Sequence, residues 1–373
     1  RRGWRVRVHE QDADLRVLGA GIYIWENGLK VLEALDVLDA TIDDALPVRR
    51  RERRGGDGRL IGAEPFGGPG ARLYVPLRRA LLTALAEGLR DAGGEIVFGS
   101  RMVRAEPDGV AHFAGGASAE ADLVIGADGV NSPIRDGLGL LRRRRPCRQY
   151  GYRIMIPRRA EELATPEGSA ICEHWNGSRR LLYAPSTADL AYVQLTAVAG
   201  DPAAGAAYDP ETWLRTFPHL DWIVERIPHD GRGDWFERVS LHRWSRGRVA
   251  VLGDAATAQP PFLGQGGGLA MMAGLSLACH LEAAASVESG LAAWEAREKR
   301  LFTWVQAVSD GYGELARRPA WLRTAALKAL GASGYLRRKT VRVAAMHEPT
   351  GSPMARPVSA VMPELHPTAG SPR

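Results

Sequence analysis

The chain has 373 residues, 45% of them hydrophobic and 25% charged, with a formal net charge of +6. This size and composition indicate a globular protein of one large or two ordinary domains, and no apolar run is long enough to span a membrane. Cys147, Cys172 and Cys279 lack the spacing of a disulfide framework or a metal site, so we predict a reducing, cytoplasmic setting and no bound metal.

The first predicted element is a strand over residues 4–10, in which apolar and polar residues alternate up to a final carboxylate, Glu10. The second strand of a dinucleotide-binding βαβ unit ends in this way, and its carboxylate holds the ribose hydroxyls. The first strand of such a unit and its Gly-x-Gly-x-x-Gly turn, which lie about 30 residues earlier, are not in the sequence. We expect residues preceding Arg1 to supply them and the main pyrophosphate cradle, with a truncated gene product as the alternative.

The next segment carries a glycine-rich stretch, a helix and a hairpin. Arg16 precedes the glycines, and Tyr23 lies on a short strand before an amphipathic helix predicted over residues 28–38. Residues 47–75 alternate and turn in the manner of a β-hairpin that reaches toward a second domain.

Two arginine runs, residues 49–54 and 142–145, supply much of the positive charge. Neither run is accompanied by a nucleic-acid-binding motif, so we predict no nucleic-acid partner. Both runs are interpreted as solvated surface.

Two later segments each predict a buried strand followed by an aspartate. The first leads into Asp128, with Ser132 and Arg135 shortly after it. The second, over residues 249–252, ends at Asp254. Open α/β sheets bind their ligands at the carboxyl ends of parallel strands, so Asp254 is a candidate ligand-binding residue.

The residues between the two aspartates change character. Residues 147–246 predict a mainly antiparallel sheet. Because the faces of a strand alternate, about half of its polar and aromatic pocket candidates must point away from any pocket. The candidates are Tyr152, Arg153, His174, Trp175, Tyr183, Tyr192 and Gln194.

A long helix follows the second aspartate and starts at a run of glycines. Two prolines, Pro260 and Pro261, stiffen the chain before it. A glycine-rich turn at a helix start offers bare backbone N–H groups, the positive end of a helix dipole, and room for a flat ligand. The turn alone is also compatible with an ordinary tight connection. Its residues are Gly264, Gln265, Gly266, Gly267 and Gly268.

These motifs in series resemble the single-component FAD-dependent aromatic hydroxylases, the group A flavoprotein monooxygenases that include the salicylate and 4-hydroxybenzoate hydroxylases. The resemblance implies an α/β fold with a Rossmann-like FAD-binding domain, a mainly antiparallel substrate domain and C-terminal helices. The FAD-binding domain is then split between residues 1–146 and 247–330 around a substrate domain at 147–246, with an extension and tail at 331–373.

The same resemblance implies the roles of individual residues. Asp254 would bond the ribityl chain, Asp128 would contact the pyrophosphate region, and Arg78 at a helix start would bind FAD, with Arg79 as the competing choice. The glycine-rich turn would lie against the pyrimidine edge of the flavin. The implied cofactor-binding residues are Glu10, Arg16, Arg78, Asp128, Asp254, Gly264, Gln265, Gly266, Gly267 and Gly268. Thr257 stands where the family usually has histidine, and Gly267 where it often has asparagine, which implies altered tuning.

The implied reaction uses NADPH or NADH and O2 to hydroxylate an aromatic or heteroaromatic small molecule through a flavin C4a-hydroperoxide. Tyr23 would line the substrate edge as an aromatic wall or proton acceptor, with core packing as the alternative. Pro260 would belong to an apolar lip that excludes water. An FAD-dependent epoxidase or oxidase, or a catalytically silent truncated paralogue, is the alternative function. The positive field is also compatible with attraction of a phosphorylated nicotinamide or an acidic aromatic substrate. The protein is expected to be a monomer or homodimer.

Overall fold

The structure is a computed structural model that describes residues 2–15, 21–68, 71–163, 166–229 and 231–351. In chain order the strands are β1 (Arg7–His9), β2 (Ile24–Trp25), β3 (Arg50–Gly55), β4 (Leu60–Pro65), β5 (Leu73–Tyr74), β6 (Glu95–Val97), β7 (Met102–Ala105), β8 (Val110–Phe113), β9 (Ser118–Glu120), β10 (Val124–Gly126), β11 (Leu141–Pro157), β12 (Ala170–Asn176), β13 (Arg179–Pro185), β14 (Leu190–Val198), β15 (Arg232–Leu241), β16 (Ser245–Arg246) and β17 (Val249–Val251).

The helices alternate with these strands and gather toward the C-terminus. They are α1 (Glu26–Ala34), α2 (Leu38–Ile42), α3 (Arg78–Asp91), α4 (Pro133–Gly137), α5 (Ala160–Leu163), α6 (Pro210–Thr216), α7 (Asp221–Val224), α8 (Asp254–Thr257), α9 (Gly266–Ala283), α10 (Val287–Glu314), α11 (Ala320–Ala332) and α12 (Gly334–Lys339). The helix predicted over residues 28–38 begins earlier, at Glu26, and ends earlier, at Ala34. It ends there because Asp36 adopts a left-handed backbone with φ of 54° that an α-helix does not accommodate.

Short parallel strands form one part of the fold. β1 pairs with β6, and β10 pairs with β17, both in parallel. Gly126 lies opposite Val251, so the carboxyl ends of β10 and β17 lie side by side and point Asp128 and Asp254 toward the same sheet edge. Within the described ranges β1 and β10 do not pair with each other, and the expectation of a central strand supplied by preceding residues stays a prediction.

A seven-stranded sheet forms the other part, in the order β15-β11-β14-β13-β12-β3-β4. Its pairs are antiparallel except for β12 and β3, which are parallel. β3 and β4 are the hairpin predicted within residues 47–75. The domain boundary predicted at residue 146 falls inside β11, at a register shift between Pro146 and Tyr150, and the division into domains stays a prediction.

The two faces of this sheet have different partners. The outer face packs its apolar residues against α6 and α7, as in the contact cluster of Leu181, Val193 and Leu195 with Trp213 and Phe217. The other face, which we call the inner face, meets α10, where the rings of Trp175 and Tyr312 lie 5.6 Å apart. The inner face carries the residues of alternate positions, which are Arg51, Arg53, Arg153, Glu173, Trp175, Arg180, Tyr192, Gln194 and Thr196.

The helices α9 and α10 complete the core beside the parallel strands. Trp294 of α10 is fully buried, donates its indole N–H to the carbonyl of Ala273 in α9, and packs 5.1 Å from the ring of Trp244. Among the residues placed by the structure, no helix combines the length and apolar character needed to cross a membrane. The predicted fold class, a parallel α/β part with a mainly antiparallel sheet and C-terminal helices, is confirmed.

Candidate active site

The glycine-rich turn presents an open helix N-terminus. Gly264 has a left-handed backbone with φ of 62°, and a Cβ added to it would lie 2.7 Å from the Cβ of Tyr23, so the position requires glycine. In the described chain no side chain caps α9, because the N-cap Gln265 makes no capping hydrogen bond. A Cβ added to Gly266 would meet nothing within 4 Å. The first turn of this 18-residue helix therefore has no side-chain cap and borders open space at Gly266, which suits a flat ligand with negative charge.

Asp254 lies in a recess beside this turn. It follows Gly253, whose φ of 63° ends β17 and starts α8. The side chain reaches solvent, yet desolvation by the surrounding protein raises the pKa of its carboxyl, partly offset by the charges of Arg78 and Arg153. We infer from the combination of solvent exposure and desolvation that Asp254 lies in a concave site, within reach of the charges of Arg78 and Arg153. Arg78, at the first position of α3, is thus one of the arginines that act on Asp254.

The segment after Asp128 connects that aspartate to the recess. The carboxylate of Asp128 accepts the N–H of Ile134 at 3.3 Å, and the hydroxyl of Ser132 caps α4 by accepting the N–H of Arg135 at 2.9 Å. Arg135 is fully buried and donates to the carbonyl of Ala255 at 3.2 Å. The serine and arginine that the sequence analysis noted therefore hold α4 against the residue that follows Asp254.

The predicted cofactor-binding residue Glu10 lies apart from this group. Glu10 follows β1 and accepts the N–H of Asp12 at 3.0 Å. No contact within the described ranges joins Glu10 to Asp128 or Asp254. Arg16 lies outside the described residues, so its predicted role stays a prediction.

Tyr23 lies between the glycine-rich turn and the inner face. Its ring meets that of Tyr192 edge-on at 6.0 Å. Its hydroxyl is buried and has no hydrogen-bond partner among the described residues. Burial raises the pKa of Tyr23, while the nearby charges of Arg51 and Arg180 lower it in part. The phenol is therefore neutral at physiological pH, and it is available as a hydrogen-bond donor rather than as a phenolate base.

The inner face is polar and deeply buried. Arg51 and Arg53 are 2% and 0% exposed, so the interpretation of residues 49–54 as solvated surface is wrong for these two. The reason is the pairing of β3 with β12, which places Arg53 opposite Glu173. The Arg51 guanidinium also lies 5.3 Å from the ring centre of Trp25, where a cation–π contact offsets part of its desolvation.

Several buried polar atoms on and near this face have no hydrogen-bond partner within the described part of the chain. Leaving such an atom unsatisfied costs about 1–3 kcal/mol, so a cluster of them marks a place where water or a ligand binds. The atoms are Tyr23 Oη, Arg53 Nη1, Trp175 Nε1, Arg180 Nη1, Gln194 Nε2 and Thr196 Oγ1. Of the predicted pocket candidates, Arg153, Trp175, Tyr192 and Gln194 share this face, whereas Tyr152, His174 and Tyr183 contact α6, α7 or their neighbours on the outer face.

Residues 260–263 form an apolar wall that contacts the inner face beside the turn. Pro260 is buried, and its carbonyl accepts the hydroxyl of Ser309 in α10 at 2.6 Å. The ring of Phe262 lies 5.6 Å from the Arg180 guanidinium, and the carbonyl of Leu263 accepts the indole N–H of Trp25 at 3.1 Å. The prolines therefore fix a wall that touches residues of both parts of the fold.

Glu64, Arg180 and Thr196 are site-region residues that the sequence analysis did not single out. Glu64 is fully buried and pairs with Arg53 at 3.1 Å. One signal in the sequence could have indicated this polar region. Alternate residues of a strand share a face, so Arg51 and Arg53 of β3 lie on the same face.

An open glycine-rich helix start and an aspartate at the ends of parallel strands are the features that the resemblance to flavoprotein monooxygenases implies. The family model described as FAD binding domain matches residues 1–306, and the chain belongs to this family.

Relatives agree with that class. The chain is 40% identical over 336 residues to a 2-heptyl-3-hydroxy-4(1H)-quinolone synthase of Mycobacteroides abscessus, covering 89% of this chain and 90% of the relative. It is 28% identical over 347 residues to a 6-hydroxynicotinate 3-monooxygenase of Pseudomonas fluorescens, covering 86% of each. The tetrameric form of 2-methyl-3-hydroxypyridine-5-carboxylic acid oxygenase superposes with a TM-score of 0.82 at 34% identity, covering 93% of this chain and 91% of that one. The chain is thus an FAD-dependent monooxygenase that uses NAD(P)H and O2 on an aromatic small molecule, as the resemblance implied.

The residues present fit the flavin end of FAD. The uncapped N-terminus of α9 complements negative charge, and the open space at Gly266 admits a flat ring. The Asp254 recess offers a carboxylate acceptor for hydroxyl groups, and Arg78 and Arg153 supply positive charge next to it. FAD bound there supplies acceptance of hydride and activation of oxygen.

Proposed function

We propose that the protein hydroxylates a nitrogen-containing aromatic ring of the 2-alkyl-4-quinolone type. The observation that carries the proposal is the buried, unpartnered hydroxyl of Tyr23 between the glycine-rich turn and the inner face. A ring placed there meets hydrogen-bonding groups, such as Gln194 and Thr196, on one side and the apolar wall of Phe262 and Leu263 on the other. The relative from Mycobacteroides abscessus supports the choice of a quinolone.

The cofactor in this proposal is held by the residues that the sequence analysis predicted. Asp254 accepts hydrogen bonds from the ribityl chain, and Arg78 neutralises charge beside it. The N–H groups of Gly266, Gly267 and Gly268 face the pyrimidine edge of the flavin, with Gly264 and Gln265 shaping the turn. Asp128 lies at the adjacent strand end near the pyrophosphate, and Glu10 binds the ribose.

The substrate side of the site has a hydrogen-bond donor, the Tyr23 hydroxyl, and an apolar wall that excludes water. Tyr23, neutral because burial raises its pKa, donates a hydrogen bond to the carbonyl oxygen of the quinolone. Pro260 and the wall that follows it exclude water from the reacting atoms, which limits unproductive loss of reducing equivalents. The arrangement therefore orients the ring and keeps oxygen transfer coupled to oxidation of the nicotinamide.

Oxygen uptake and product analysis test this function. With 2-heptyl-4-quinolone present, we expect NAD(P)H-dependent oxygen uptake to rise and a product with one added oxygen to form. In Tyr23→Phe, loss of one hydrogen bond should lower the product formed per NAD(P)H by about tenfold, with the flavin spectrum unchanged. Tyr335→Phe, at an exposed tyrosine, is the matched control. No stimulation by any quinolone tested, whether or not a pyridine or benzoate stimulates, would contradict the proposal.

The proposal also covers the location of the protein, its oligomeric state and its division into domains. The described cysteines, Cys147, Cys172 and Cys279, are all free, which supports a reducing, cytoplasmic location. We also propose a monomer or homodimer and the division into a split FAD-binding domain and a substrate domain. Light scattering of the purified protein measures the oligomeric state directly.

A further inference from the structure

A cavity of about 260 Å³ lies against β11 and β15, and none of its lining residues belongs to the inner face or the glycine-rich turn. We call it the arginine cavity. Four of its five lining residues are arginines, and the fifth is a serine, so every lining side chain carries a hydrogen-bond donor. The lining residues are Arg142, Arg143, Arg145, Arg238 and Ser240.

Cross-strand pairing brings four of these residues to one face. Arg143 of β11 lies opposite Ser240 of β15, and Arg145 lies opposite Arg238. Residues two apart on a strand share a face, so the two pairs stand side by side. Like charges directly opposite each other destabilise a sheet. The strands therefore hold a costly concentration of positive charge.

A β-bulge adds the remaining arginine. Leu141 pairs with Leu241 and Arg143 pairs with Ser240, so β11 advances two residues where β15 advances one. Consecutive side chains of a regular strand point to opposite faces, and a bulge changes the direction of one of them. The register shift at Arg142 accounts for how Arg142 and Arg143 line the same cavity.

The charge of the cavity is compensated only in part. Arg145 and Arg238 both pair with Asp310 of α10, which fixes two of the four guanidiniums. Arg142 and Arg143 are exposed, and their guanidinium groups form no ion pair or hydrogen bond with any residue that the structure describes. Four guanidiniums and one carboxylate leave an excess of positive charge. The guanidiniums of Arg142 and Arg143 are available to bind a ligand. This arrangement suits a dianion such as a phosphate monoester.

The size and supports of the cavity connect it to the flavin side of the molecule. Its volume lies below the range of about 300–1,000 Å³ that is typical for whole ligands, so it suits one phosphoryl group with its sugar. Arg144, next to the cavity, donates to Asn131 in the segment after Asp128 at 2.6 Å. Asp310 follows Ser309, whose hydroxyl holds the carbonyl of Pro260. A nucleotide phosphate in the cavity thus lies beside the segment that supports the Asp254 recess.

We propose that the arginine cavity binds the 2′-phosphate of the reduced nicotinamide dinucleotide, which makes NADPH the preferred reductant. The inference rests on the proposed function for its use of a nicotinamide coenzyme. NADH lacks this phosphate and leaves Arg142 and Arg143 without a ligand.

Calorimetric titration of the FAD-loaded protein with 2′-AMP, adenosine and inorganic phosphate tests binding without any aromatic substrate. We expect 2′-AMP to bind more tightly than adenosine, and the double variant Arg142→Ala, Arg143→Ala to weaken 2′-AMP binding by about tenfold or more. Both arginine side chains are exposed, and the strand pairing of Arg143 with Ser240 uses backbone atoms that alanine retains, so the variant is expected to fold. Arg148→Ala, at an exposed arginine of the same strand that does not line the cavity, is the control.

Steady-state kinetics give the second readout. In the double variant the KM for NADPH should rise about tenfold or more, with the KM for NADH unchanged, and lysines at both positions should restore part of the difference. Equal binding of 2′-AMP by wild type and double variant would overturn the proposal, as would equal losses with NADPH and NADH. Binding of inorganic phosphate with no effect on either coenzyme would also overturn it. Failure with every quinolone would leave the titration intact and so would count against the substrate alone.

Discussion

At the scale of single residues, Gly264 and Gly266 serve the turn in different ways. Position 264 requires glycine for two reasons. Its φ is 62°, and an added Cβ would lie 2.7 Å from Tyr23. Gly266 is in the first turn of α9, and an added Cβ there meets only open space. The protein itself therefore constrains Gly264, whereas a flat ligand would constrain Gly266.

The two glycines give opposite expectations for alanine variants. Gly264→Ala should destabilise the protein by about 1–3 kcal/mol through backbone strain and overpacking, and it should also weaken FAD binding. Gly266→Ala should leave the FAD-free protein as stable or more stable, by up to about 1 kcal/mol from helix propensity, yet weaken FAD binding at least tenfold. Urea unfolding and flavin fluorescence titration measure both quantities. Unchanged FAD affinity in Gly266→Ala would contradict placement of the ring against this turn.

The residue scale also shows what sequence patterns could predict. Asp254 and the glycine-rich turn are local motifs, so their position at a strand end and a helix start follows from nearby residues. The burial of Arg51 and Arg53 does not, because it depends on parallel pairing of β3 with β12, whose partners Arg53 and Glu173 are far apart in the chain. Likewise, the alternation of strand residues predicted that about half of the pocket candidates point away from any pocket. Which of them lie on the inner face depends on how the strands pair in the sheet.

At the scale of elements, one carboxylate links the β3–β4 hairpin to the C-terminal segment. Glu64 of β4 is fully buried. It forms ion pairs with Arg51 at 3.5 Å and Arg53 at 3.1 Å on β3, with Arg337 of α12 at 3.3 Å and with Arg342 at 3.6 Å. Arg342 also donates to the carbonyl of Pro65. The hairpin, α12 and the residues after it therefore share a single centre of negative charge.

Removal of that charge should destabilise the fold strongly. Glu64→Gln leaves buried guanidiniums without compensation, for which we expect a loss of about 3–5 kcal/mol in the free energy of unfolding. Glu106→Gln, which breaks the exposed pair with Arg104, should cost no more than about 1 kcal/mol. Equal stabilities of the two variants in urea would show that Glu64 does not hold these elements together.

At the scale of the whole molecule, the outer face of the seven-stranded sheet contains a pH-sensitive contact. His174 on β12 lies with its ring 5.2 Å from that of His219 and 6.4 Å from that of Phe217. Burial, together with the charges of His219 and Arg54, lowers the pKa of His174 to about 3. The folded protein therefore keeps this imidazole neutral at pH values where the unfolded chain protonates it.

The sign of the pH dependence follows from proton binding. Between about pH 6.5, the value for an unfolded histidine, and the lowered value, the unfolded chain binds more protons, so stability falls as the pH falls through this window. The slope should reach about 1.4 kcal/mol per pH unit. His174→Gln should flatten the decline between pH 7 and 5 in urea unfolding, whereas His112→Gln, on the β8 hairpin, should not. If the free energy of unfolding declines as steeply with falling pH in His174→Gln as in the wild type, a group other than His174 causes the acid sensitivity.

The fold class could be predicted from the patterns of the sequence, whereas the way in which its parts are joined could not. Short apolar strands that end in aspartates predicted the parallel part, and alternating strands between them predicted the antiparallel sheet. The continuity of β11 through the predicted boundary at residue 146 was not visible, because bulged strands such as this one interrupt the alternation on which prediction depends.

The account depends on Asp254 and its recess as the place where the flavin is held. FAD titration of the Asp254→Ala variant, followed by flavin fluorescence, tests this most directly, with Asp108→Ala in an exposed turn as the control. Loss of a charged acceptor should weaken FAD binding about ten- to a hundredfold, while the stability of the FAD-free protein is maintained or raised because a desolvated carboxylate is removed. Wild-type affinity for FAD in Asp254→Ala would contradict the account.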